Sequence, residues 1–166
     1  MINADDILLI GNPKLNELCT PLTEADLPKL NEWIAGLHSA MEDIRKKYNF
    51  GRGIAAPQLG IMKRLIYLNL DKPYVIINPE FISKSDEMFT LWDDCMSFPN
   101  LLVKLERHKK IHFKYLDENW NEQEWIAEDA ISELIQHEYD HLDGILATER
   151  AIDSKSFKWR ILNARH

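Results

Sequence analysis

Cysteine is scarce in this chain, and no long apolar run occurs. The two cysteines, Cys19 and Cys95, cannot build the multi-bridged framework of a small secreted scaffold. The opening "MINADDILLIGNP" has two aspartates and no basic residue ahead of its short apolar run, so it does not read as a signal peptide. Both thiols are therefore expected to be free, in a cytoplasmic protein. No stretch approaches the roughly 18 apolar residues that span a bilayer, so no membrane partner is expected. Basic charge is also short: 20 Lys and Arg stand against 27 Asp and Glu, a formal net charge of −7. Phosphate-backbone binding needs a basic face, so DNA is not an expected partner. Repeats, low-complexity segments and linker-like runs are missing, and 166 residues suit one domain, 1–166, around a single core.

The apolar residues that are present fall into clear periods. Between 24 and 48, Leu30, Trp33, Ile34, Leu37, Met41 and Ile44 recur at spacings of three and four, which predicts a core-packing helix. "YNFGRG" follows with two glycines as the stop. Strands are expected at 64–70 and 74–82 and at 109–117, where Ile111, Phe113 and Tyr115 share a face. A turn and a short strand follow in "ENWNEQEWIA". From about Glu128 the period becomes helical again, with Ile131, Leu134, Ile135 and then Tyr139 or Leu142 apolar and Gly144 as the stop. Glu128 and Asp129 in the first turn suit the helix dipole. A helix, several strands and a late helix make the class α+β.

That late helix carries "LIQHEYDHLDG", residues 134–144. Residues four apart lie on one face, so His137 and His141 can share a metal ion, with Glu138 beside them as a base for a coordinated water. The competing reading is a solvated His/Glu face. A third ligand separates the two. Downstream only Glu149 and the terminal His166 offer themselves, which suits an HExxH metallopeptidase poorly. Upstream stands Cys95, a strong ligand for Zn²⁺ or Fe²⁺ when ionised, or else a buried structural thiol.

Three ordered stretches resemble the peptide deformylases. "GRGIAAPQLG" (51–60) resembles that family's G-x-G-φ-A-A-x-Q, "DDCMS" (93–97) its E-G-C-φ-S, and "QHEYDHLDG" (136–144) its Q-H-E-x-D-H-L-x-G. "ILLIGNPKLNELCTPL" is similar to its N-terminal segment, so the resemblance spans nearly the whole chain. It implies small antiparallel or mixed sheets packed around a C-terminal metal-binding helix, with an N-terminal helix. It implies Cys95, His137 and His141 as ligands of one divalent ion, Fe²⁺ in the cell with Zn²⁺ or Ni²⁺ possible. The implied reaction removes the N-formyl group from formyl-methionine at the start of nascent peptides, or from a related formylated amine, and releases formate. Glu138 would move the proton. The Gln58 side-chain amide and the Met96 backbone N–H would stabilise the oxyanion, and losing one such donor costs about 3 kcal/mol of barrier. Gly53, Leu91, Asp94 and Glu133 fall at substrate-binding positions. Ribosome-associated nascent chains are the implied partners. An inactive peptide-binding relative is the alternative, and monomer and homodimer both stay open.

Four positions depart from the family pattern. Asp93-Asp94 replaces Glu-Gly before the cysteine. Asp93 keeps the acid and can pair with Arg107, whereas Asp94 adds bulk and charge at the rim. Glu133 stands where an apolar residue is usual; it is either exposed or it makes the pocket more polar. Leu102 occupies a position that is often basic. Asp140 is read as a brace for the helix or a ligand histidine, or as solvated.

Overall fold

The predicted N-terminal helix folds as α1, Leu27–Tyr48, entered through a 3-10 turn at Glu24–Asp26. Leu30, Leu37, Met41 and Ile44 are buried along it, with Trp33 and Ile34 packed at their flanks. Its stop differs from the sequence expectation. Asn49 takes the left-handed cap (φ 57°) and donates to the Arg45 carbonyl at 2.9 Å, so the helix ends before either glycine. The computed structural model describes residues 1–161, and His166 lies outside them.

Eight strands occur among the described residues: β1 (Gly53–Ala55), β2 (Leu65–Asn69), β3 (Pro73–Lys84), β4 (Met88–Asp93), β5 (Leu101–His108), β6 (Lys110–Leu116), β7 (Glu122–Glu128) and β8 (Phe157–Trp159). They form a five-stranded sheet, β1-β2-β3-β6-β7, and a three-stranded sheet, β4-β5-β8. Every strand pairing is antiparallel. β3 is not the even strand expected. Asn78 turns left-handed (φ 51°) at a register shift, and its amide brackets the Leu22 backbone at 2.8 and 3.0 Å.

Alternation explains why the large sheet is covered on both faces. Leu65, Tyr67, Val75 and Ile77 join the cluster that includes α1. Ile66, Leu68 and Ile76, with Ile111 and Phe113, join the cluster under the second helix, α2 (Asp129–Leu142). Each fully buried large side chain of this kind contributes about 1.5–3 kcal/mol. Glu128 is not in the first turn of α2; it is extended (φ −127°) and closes β7, leaving Asp129 as the acid there. Gly144 stops the helix as expected, with φ 72°. It is also pressed against backbone, since a Cβ there would lie 2.6 Å from the Asn16 carbonyl carbon.

α2 touches both sheets, including β1, β7 and β5. It is therefore buried almost all round, from Ser132 to Leu142 except Tyr139. The solvated His/Glu face is ruled out by this packing. None of the described helices is long and apolar enough to cross a membrane.

Candidate active site

One buried group of metal-ligating side chains exists among the described residues: Cys95, His137 and His141, with ligand atoms all within 4.8 Å of one another. α2 supplies both histidines a turn apart, and Cys95 comes from the turn after β4. Cys95 Sγ lies 3.4 Å from His141 Nε2. A tetrahedral ion with metal–sulfur and metal–nitrogen distances of ordinary length would hold such a pair about 3.6 Å apart. One cysteine sulfur and two imidazoles, three protein donors in all, suit Zn²⁺ or Fe²⁺ in an open, catalytic type of site. The residues present fit a divalent ion. Cys19 is no rival for it: both thiols are free, but burial pushes that of Cys19 up to about 11.

Carboxylates orient this group. His137 Nδ1 donates to Asp93 Oδ2 at 2.7 Å, which leaves Nε2 to face the ligand cluster. Burial opposes charge on both, yet Asp93 holds the His137 pKa well above its ordinary value, and Asp93 itself stays below the usual carboxylate range. His141 falls well below its ordinary value through burial and the neighbouring His137. Asp93 pairs with Arg107 at 3.5 Å, as its sequence position suggested. Arg107 occupies an inward position of β5 and is buried between Asp93 and Asp140, with 2.6 Å to the latter. Asp140 also accepts two bonds from Arg150, at 2.6 and 2.8 Å. It thus braces α2 through two arginines rather than facing solvent. An Asp93→Asn variant should weaken metal binding about 10- to 100-fold, read by competition against a chelator. Unchanged affinity would remove Asp93 from this role.

Glu138 is buried beside the ligands, and its Oε2 has no hydrogen-bond partner among the described residues. Burial, with Asp93 and Glu133 adding to it, pushes its carboxyl up to about 7. Such a group can both take and give a proton near neutrality. Gln58 sits on the 3-10 turn Ala56–Leu59 with its orientation set at both ends. Its Oε1 accepts from the Ala55 N–H at 3.0 Å. Its Nε2 donates to Ser97 Oγ at 3.1 Å and faces Cys95 Sγ at 3.7 Å. Met96 is buried in the Cys95 turn. The apolar opening segment clamps these parts: Leu8 N–H bonds the Gln58 carbonyl at 2.8 Å and Ile10 N–H bonds that of Ser97 at 2.9 Å.

A cavity of about 250 Å³ opens over this centre, and Gly53, Leu91, Asp94, Met96 and Glu133 all contribute to its lining. A Cβ on Gly53 would come 3.3 Å from Glu138 Oε1 and 2.6 Å from the Leu68 side chain, so glycine keeps that approach open. Glu133 is buried, and it forms an ion pair with Arg52. Of the two readings left open by the sequence, exposure is excluded. Asp94 does bring charge to the rim, but Arg160 neutralises it and also stacks over Phe50 at 4.2 Å. Arg52, Arg150, Arg160 and Ser97 were not singled out by the sequence. A charged residue between the two glycines of "GRG" was the available signal for Arg52. Arg160 had none, because its partner Asp94 is distant in sequence, and Arg150 had none because it lies beyond the end of α2, outside the helical spacing that would pair it with Asp140.

The polypeptide deformylase family model matches residues 4–157. Peptide deformylase 1 of Prochlorococcus marinus is 32% identical over 164 residues, covering 92% of this chain and 83% of that protein. The Treponema pallidum peptide deformylase is 32% identical over 151 residues, covering 90% and 89%. Among solved structures, the peptide deformylase of Thermotoga maritima superposes with a TM-score of 0.79 at 32% identity, covering 89% of this chain and 97% of that one. The Synechococcus elongatus peptide deformylase, solved in complex with actinonin, gives 0.82 at 30% identity, covering 89% and 79%. With motifs, fold and relatives in agreement along nearly its whole length, the chain belongs to the polypeptide deformylase family.

Proposed function

We infer that the protein releases formate from N-formylated amino termini, with Cys95, His137 and His141 holding one divalent ion. Fe²⁺ is the ion proposed for the cell, and Zn²⁺ or Ni²⁺ can occupy the same soft and borderline donors. A divalent ion held there supplies Lewis acidity and makes water nucleophilic near neutral pH.

The chain's own residues do the rest. Glu138 takes a proton and delivers it to the departing amine, a task its elevated pKa suits. The Gln58 amide, fixed by Ala55 and Ser97, and the Met96 N–H donate to the oxygen on which charge develops. Among the described residues β1 ends its sheet; the Ala55 N–H is held by Gln58, and the Gly53 backbone, which lines the cavity, is the part of that edge proposed to pair with an extended peptide. The Asp94 carbonyl is the proposed second backbone contact, with Leu91 as apolar lining. Formyl-methionyl nascent peptides in the cytoplasm, or a smaller formylated amine, are the proposed substrates.

The observation that carries this reading is the Glu138 oxygen, unpartnered among the described residues and buried beside three converging side chains able to hold a metal. An idle buried carboxylate costs stability, and a protein that only bound peptides would have no use for one. The test is to load purified protein anaerobically with Fe²⁺ and measure formate released from formyl-Met peptides and small formylated amines. Turnover is expected. Bound metal with no formate from any of them would overturn the reading.

A further inference from the structure

The cavity beside the ligands has a charged wall. Arg52 stands between the two glycines that lead into β1, and Glu133 lies one helical turn before His137. Besides pairing with Glu133, Arg52 donates to the Ala130 carbonyl at 3.2 Å. The partners are unequal: the Glu133 side chain is 8% exposed and the Arg52 side chain 43%. Glu133 is fixed on the helix that carries the ligands, whereas the guanidinium is the group able to swing into water. The other added acid of the lining, Asp94, already has Arg160. A substrate side chain that fills this cavity therefore meets one buried carboxylate whose partner is movable.

Resting on the deformylase reading, we propose that Arg52 and Glu133 select the first side chain of the substrate, favouring one that donates a hydrogen bond to Glu133 over an apolar one of equal length. An apolar chain that displaces Arg52 leaves a buried carboxylate unpaired, the costly case. A donor replaces the lost guanidinium contact. An acidic chain brings a second carboxylate and is rejected. Sites whose buried polar groups are left unpaired discriminate far more sharply than sites that merely lose a methylene.

Peptides beginning with formyl-Gln and formyl-Met make the comparison, because the two side chains match in length, and formyl-Glu is the acidic control. Metal-loaded wild type is expected to show kcat/KM at least about 10-fold higher for Gln than for Met, with Glu lowest. Arg52→Leu/Glu133→Leu removes both charges together and should invert the Gln–Met order. Glu133→Gln keeps the shape and should bring the ratio close to unity. The same peptides are titrated calorimetrically into metal-loaded Glu138→Gln protein, so that the order is also read without turnover. A preference for Met in both readouts, or a ratio unmoved by the substitutions, overturns the proposal. The expected binding order without formate release from any peptide would support the pocket assignment and sink the deformylase reading.

Discussion

A Glu138→Gln variant is expected to keep its metal ion and to release formate about 10²- to 10⁴-fold more slowly than wild type. Glutamine matches the shape of glutamate, so the packing against Gly53 should survive, but it cannot cycle a proton. The side chain is buried in the cavity wall beside the ligands, and glutamine keeps its volume there. The loss should therefore fall on kcat, with KM and metal content nearly unchanged. A steady-state analysis with parallel metal determination separates these. A rate within a few-fold of wild type would mean that another group moves the proton.

Cys95→Ala should have the other large effect, through the ion rather than the proton. Cys95 is one of the three proposed protein ligands, and a thiolate is the softest donor among them. Losing a mere outer partner of a ligand costs roughly 10- to 100-fold in affinity, so losing the ligand itself should cost more. The purified variant should carry little metal and release no measurable formate, while its thermal transition without added metal stays close to that of wild type. Stoichiometric metal in the variant would show that the histidines alone, or another donor, suffice.

Much of this was legible in the sequence where local pattern and global environment agree. The α1 stripe, the runs that became β2 and β3, and the alternation of β6 all map apolar residues onto one buried face or two. β5 alternates as well, with Val103 and Leu105 inward, but its next inward residue is Arg107, and a charge there breaks the apolar period. β1 and β8 span three residues each and depend on their neighbours for existence.

The site followed the same division. His137, Glu138 and His141 share one helix, so their grouping is local, and the ordered motifs brought in Cys95 and Gln58. The burial of α2's polar residues was not local. It depends on the small sheet closing over α2 from the β5 side, and on Arg107 meeting two carboxylates from different elements. Sequence left Glu133 undecided for that reason: its environment is set by Arg52, which arrives from 81 residues away along the chain.

The central claim is that Cys95, with the two histidines of α2, ligates a divalent ion. Anaerobic titration with Co²⁺, followed by absorption spectroscopy, tests it most directly. Wild-type protein should develop a near-ultraviolet thiolate-to-cobalt charge-transfer band that saturates at a single ion per chain, and Cys95→Ala should not develop it. Saturable Co²⁺ binding without that band, or a band that persists in Cys95→Ala, would contradict the account.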